Sequence, residues 1–173
     1  MASEPSPNAG VTLAMRSQAV IDLINEVAAP DDSVFLMGHS LGGITVTDVA
    51  ERLGDRLTAV IYLTAFMLPP GMPTIAMIQH EKMTGEEVAP LFLSDPTKTG
   101  ALRLDPDSDD AGYRERVISA FYGDLIDTDA ADALHGLHSD EPALVVLDPS
   151  PMSKARFGQH PVTTFAAPGI ELP

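Results

Sequence analysis

Residues 34–43 read VFLMGHSLGG. The stretch from Ser33 to Met37 is apolar and too short for a helix, so it predicts a strand. It shows no polar alternation, which predicts burial on both faces, as in a parallel sheet. GHSLG at 38–42 fits G-x-S-x-G, a pattern in which a strand bends sharply into a helix and lifts a serine from the chain. Side chains at positions 38 and 42 are expected to clash with neighbouring backbone, which explains the glycines. A helix then runs over about 41–53, with Val46, Val49, Ala50 and Leu53 inward and Gly54 as its stop.

That geometry predicts chemistry for Ser40. Its oxygen should stand above the start of a helix, where the helix dipole and the N–H of Leu41 favour a developing oxyanion. Gly38, His39, Gly42 and Gly43 make up the rest of the elbow. The plainer alternative is a Gly-rich turn with an incidental serine; a strand before and a helix after argue against it. No lysine follows the glycines, so the turn is not a P-loop, and the spacing is not G-x-G-x-x-G.

Working outward, residues 13–27 carry Val20, Ile24 and Val27 at helical spacing, with Arg16, Asp22, Asn25 and Glu26 as the polar side; the helix ends before Pro30. TAVIYLTAF at 58–66 predicts a second buried strand. Helix, strand, helix, strand is a βαβ unit with one preceding helix. The fold class is therefore α/β, a few parallel strands covered by helices on both faces.

After LPPGMP the pattern changes, and residues 72–153 read as helices and turns. TGEE at 84–87 matches a capping box, with Thr84 as cap and Glu87 reaching back. Its helix is expected to reach about Leu93, kinked or ended early by Pro90. SDPTKTG and LDPDSDD read as turn-rich linkers. Residues 113–122 form an amphipathic helix with Val117, Ile118 and Phe121 on one side. Asp127 or Thr128 caps a further helix through Leu137. ALVVL at 143–147 fits strand or helix, and PVTTF at 161–165 reads as a strand. The expected organisation is a flexible lead-in at 1–12, an α/β core at 13–68, a helical cap at 69–153 and a return to the sheet at 154–173.

The chain has 173 residues, enough for one domain with a real core, and 45% of them are apolar. A net charge of −15 opposes binding to nucleic acid or an anionic membrane. The chain has no cysteine, which excludes disulfides, thiolate catalysis and cysteine-based metal sites and fits a reducing, cytoplasmic setting. No apolar run approaches the ~20 residues of a membrane span. MASEPSPNAG lacks the basic and apolar regions of a signal peptide.

VFLMGHSLGG, AVIYLTAFMLPPG at 59–71, FYGD at 121–124, DAADAL at 129–134 and SKARFGQHPVTTF at 153–165 together resemble the α/β-hydrolase superfamily. The likeness is to its small-esterase branch, which includes plant methylesterases and hydroxynitrile lyases. It runs from about Leu13 to the strand at 161–165. The resemblance implies a partial α/β-hydrolase core with a helical cap over a pocket, no cofactor, and a small carboxylic ester or related carbonyl compound as substrate. It implies Ser40 as nucleophile and the N–H of Leu41 as one oxyanion donor. The pocket is expected between Phe66 and Met67 at the end of the second strand and the cap aromatics Phe92, Phe121 and Tyr122; plain cap core is the ordinary reading of those three. Cyanohydrin lyase chemistry is the lesser reading, with Lys82 as the cap lysine it needs. Against the family pattern the chain looks like the middle of a hydrolase: the first strands, the second oxyanion loop, the last strand and the histidine loop do not appear.

A serine hydroxyl needs a base, usually a histidine oriented by a carboxylate. Five histidines are present. His39 sits inside the elbow, where it packs beside the nucleophile and cannot turn to serve it. His80 lies just after the start of the cap, and His160 precedes Pro161; these two are the base candidates. Glu171 is the one carboxylate after PVTTF and so the acid candidate. His135 and His138 lie at i and i+3 near a helix end and read as a solvated pair, since a metal would need a third ligand. LDPDSDD has four carboxylates but lacks the glycine and distant glutamate of a calcium loop. No metal is expected. The readings that stand are a serine hydrolase whose base comes from this chain or another, or a catalytically inactive or incomplete remnant that binds a partner. Missing edge strands predict a homodimer or a partner chain completing the sheet.

Overall fold

The computed structural model describes residues 4–80, 85, 87–153, 155–156 and 161–165. In chain order the elements are α1 (Leu13–Val27), β1 (Phe35–Ser40), α2 (Gly42–Leu53), β2 (Ala59–Ala65), α3 (Thr74–Ile78) and α4 (Pro96–Thr99). Then come β3 (Ala101–Arg103), α5 (Ala111–Tyr122), α6 (Asp127–His135), β4 (Asp140–Pro142), α7 (Ala143–Leu147) and β5 (Val162–Phe165). Two units are distinguished: residues 12–80 with 145–173, and residues 1–11 with 81–144.

The first unit holds the three-stranded sheet, ordered β1-β2-β5 with both pairs parallel. The βαβ reading and the strand at 161–165 are found as expected, and β1 extends through the G-x-S-x-G motif to Ser40. Thr12 caps α1 by accepting from the Met15 N–H. Leu13, Ser17, Ile21 and Ile24 are the buried face of α1; Val27, expected inside, is 69% exposed. Gly54 ends α2 at φ 52, a conformation that disfavours any residue with a Cβ. Ile21, Ile24, Val46, Val49, Ala50, Val60 and Tyr62 form one core, with Val20, Leu36 and Leu53 packed against it.

One expectation fails here. Phe35 and Met37 are 62% and 60% exposed, and Leu63 on the same face is 38% exposed. The sheet is covered on one face only among the described residues. The reason is that α1 packs on α2, so both helices lie over Leu36, Val60 and Tyr62 and neither crosses to the other side. An unbroken apolar run states what a strand tolerates, not which neighbours reach it.

Beneath the start of α2 lies a buried hydroxyl chain. Thr47 Oγ1 donates to the Gly43 carbonyl at 2.8 Å and so accepts from the Tyr62 hydroxyl at 2.7 Å. Tyr62 is 1% exposed, and a hydroxyl this deep must be paired.

The second unit differs more from expectation. It contains a two-stranded antiparallel sheet, β3 with β4, where only helices and turns were foreseen. Arg103 forks onto the Asp140 carboxylate at 2.6 and 2.7 Å, and that hydrogen bonding holds Asp140 below the usual carboxylate range. The predicted helix to Leu93 is a single 3-10 turn, Ala89–Leu91, in which Pro90 takes an early position; Thr84 lies outside the described residues. Asp110, from the acidic linker, caps α5 by accepting from the Tyr113 N–H. Helix α6 is capped by Ile126 without a side-chain bond and stops at His135, short of Leu137. ALVVL is helical. Leu91, Leu104, Tyr113, Val117 and Leu134 make the core. Within the stretch read as a flexible lead-in, Ser6 is buried and its N–H donates to the Thr99 carbonyl, while Ala9 sits against Gly100.

Burial pushes the Tyr62 phenol up to about 12, with the Thr47 bond opposing and the nearby Glu51 charge adding to it. The folded group is thus raised above its unfolded value of about 10. Its contribution is fully present below pH 10 and is lost as pH rises through 12, roughly 2–3 kcal/mol in all. Urea unfolding between pH 9 and 11.5 should show this decline in the wild type and a shallower one in Tyr62→Phe.

Candidate active site at the Ser40 turn

Ser40 closes β1 with φ 51 and is exposed. For a residue with a Cβ that conformation costs on the order of 1–3 kcal/mol and persists only where the surroundings enforce it. Two glycines do so. A methyl on Gly38 would stand 2.7 Å from the Gly42 carbonyl oxygen and 2.9 Å from Val46 Cγ2. A methyl on Gly43 would stand 2.9 Å from the nitrogen and carbonyl carbon of Phe66, and closer still to its oxygen. Gly42 does not do what was expected of it: a Cβ there meets nothing within 4 Å. The strand-to-helix bend needs the first and third glycines because Val46 and Phe66 cross there, whereas position 42 faces open space.

Leu41 comes next as the N-cap of α2, φ −61 and ψ −21, and contributes no side-chain cap. The first N–H groups of a helix have no intrahelical acceptor, and the partial positive charge of the 12-residue α2 adds to them. This is a place where a negative oxygen is favoured. Leu41 and Phe66 both pack against the buried cluster of Leu13, Ile44, Leu68 and Val145. Phe66 is therefore half-buried core, while Met67 next to it is 38% exposed.

The remaining candidates are scattered. His39 is exposed on β1, on the open face of the sheet, and not packed in the elbow. His80 is exposed after α3, its N–H donating to the Met77 carbonyl at 3.0 Å. His160 and Glu171 lie outside the described residues, as does Lys82. His135 Nδ1 is 3.6 Å from Asp107 Oδ1, with both side chains mostly exposed. Among the described residues no group of three or more His, Cys, Asp or Glu is placed to hold a metal. Phe121 and Tyr122 end α5 in the second unit with ring centroids 6.1 Å apart, and Phe92 packs on that unit's core.

Two features escaped the sequence. Thr64 has φ 42, the other non-glycine residue in the left-handed region among those described. It sits in a run of strand formers, and nothing in that composition announces a bulge. The Thr47–Tyr62 pairing had a faint signal: a tyrosine inside an apolar strand needs a partner for its hydroxyl.

The two glycines at the head of α2 should respond oppositely to alanine. Gly43→Ala is expected to lower the melting midpoint by several degrees, since backbone must move. Gly42→Ala should leave it unchanged or raise it slightly, because alanine suits a helix better by about 0.5–1 kcal/mol. Thermal unfolding followed by circular dichroism reads both.

Comparison with known proteins adds lineage to this geometry. Residues 3–173 match the family model described as alpha/beta hydrolase family. The carbendazim hydrolyzing esterase of Nocardioides sp. is 36% identical over 62 residues, 36% of this chain and 25% of that protein. Methylesterase 4 of Arabidopsis thaliana is 32% identical over 56 residues, 32% of this chain and 21% of that protein. These matches thus span about a quarter of the length of such curated relatives. The crystal structure of a pyrethroid hydrolase from Sphingobium faniae superposes with a TM-score of 0.73 at 20% identity, covering 97% of this chain and 75% of that one. With the parallel sheet, the glycine-enforced serine turn and a family match over nearly all its residues, the chain belongs to the α/β-hydrolase family.

Proposed function

We propose that the protein is a serine hydrolase acting on a small carboxylic ester or a related carbonyl compound through Ser40. The observation that carries this reading is the exposed, strained Ser40 at the head of α2. Likeness to proteins named as esterases and methylesterases supports ester chemistry. In the proposed cycle Ser40 Oγ attacks the carbonyl carbon and loses its proton to a base. The carbonyl oxygen becomes an oxyanion at the Leu41 N–H. The C–O bond breaks, the alcohol leaves with the proton, and water then cleaves the acyl-enzyme. The base is a histidine: His80 and His160 are the candidates on this chain, with Glu171 as the acid, and a partner chain is the other source.

A fluorophosphonate probe tests the assignment. Covalent labelling that disappears in Ser40→Ala supports it, together with a loss of at least about 10³-fold in hydrolysis of a p-nitrophenyl ester. A wild type that takes no label removes it.

A second reading has its own observation. The face carrying Phe35, Met37 and Leu63 is open, and β1 has no strand on its outer side among the described residues. An unpaired edge beside an apolar face is a site for another chain. This supports a binding protein that completes its sheet with a second copy or a partner. Light scattering decides: a dimer or larger assembly at micromolar concentration supports this reading, and a well-behaved monomer argues against it.

A further inference from the structure

We propose that Thr64 is a positioning residue for the Ser40 site, acting through the backbone bulge it forms and not through its hydroxyl. This rests on the reading of Ser40 as nucleophile. The β1–β2 ladder runs in step from Phe35↔Ala59 to His39↔Leu63, and then Ser40 pairs with Ala65. Thr64 is the residue left over. Its φ of 42 is a genuine outlier for a β-branched side chain. Thr64 is exposed, so burial does not compensate for the strain. The two strained residues thus lie side by side at the same end of neighbouring strands.

The extra residue redirects the chain beyond it. A bulge reverses the alternation of side chains on its far side. Ala65 joins Val60 and Tyr62 against the helices, where strict alternation from Leu63 would turn it to the open face. The Phe66 N–H then reaches the Ser40 carbonyl at 3.0 Å. Phe66 backbone crosses Gly43 so closely that no Cβ fits between them. Its side chain packs against the same cluster as Leu41. The bulge therefore sets where Phe66 bears on the first turn of α2, and through it the direction of the Leu41 N–H.

The test uses the whole chain with two readouts. One is the amide resonance positions of Leu41 and Gly42. The other is the rate of Ser40 labelling by the fluorophosphonate and of ester turnover. Proline cannot adopt φ 42, and deletion of Thr64 restores the register. Thr64→Pro and the deletion should move both amide resonances and slow labelling by about 10²-fold, a loss in kcat with KM little changed. Thr64→Gly and Thr64→Val should keep the wild-type resonances and labelling, and Thr64→Gly should melt higher. Wild-type resonances in a folded Thr64→Pro or deletion variant overturn the proposal. So does a Thr64→Val that fails as badly as Thr64→Pro, since the hydroxyl is then the agent. If Thr64→Pro and the deletion do not fold, Thr64→Gly decides: a melting midpoint no higher than that of the wild type overturns the proposal, since position 64 then carries no strained bulge. A wild type that takes no label sinks the nucleophile assignment alone, and the resonances still judge the bulge.

Discussion

The turn at Ser40 exists because three stretches of backbone meet where there is no room for a Cβ. The Gly42 carbonyl lies against Gly38, and Phe66 lies against Gly43. Everything at the site derives from that contact. It brings the end of β1 under the first turn of α2, leaves Ser40 no relaxed conformation, and ties the exit of β2 to the head of the helix. Packing at this density does not deform continuously, so the geometry holds as a unit.

Beneath that contact the chain places polar groups where apolar ones would pack. Thr47 and Tyr62 pair inside the core and end on the Gly43 carbonyl. A fully satisfied buried network specifies one arrangement more sharply than it adds stability. It anchors from below the same glycine that Phe66 closes from above. The serine is thus supported by a strand, a helix and the exit of a second strand, while its own side chain remains exposed to solvent.

Much of this was legible in the sequence, for identifiable reasons. Helix α1 has apolar residues at helical spacing and ends before a proline, and β5 is dense in β-branched residues; both carry their own signals. The elbow was legible as a pattern. Which glycines it requires was not, because the requirement at Gly43 is set by Phe66, more than twenty residues away in the chain. Strands β3 and β4 have three residues each, too few to show a period. The acidic linker concealed a helix cap at Asp110, since one aspartate among four looks like its neighbours. The face of the sheet left open among the described residues was not legible at all, because Phe35 and Met37 look the same whether or not a layer covers them.

That face and the edge of β1, both open among the described residues, belong to a chain of net charge −15. Copies of it repel one another at distances where the edge exerts no pull. The repulsion reaches only about 8 Å at physiological ionic strength and about 3 Å at 1 M salt. Approach between copies is therefore governed by the ionic atmosphere: dilute buffer holds the molecules apart, and concentrated salt removes that separation.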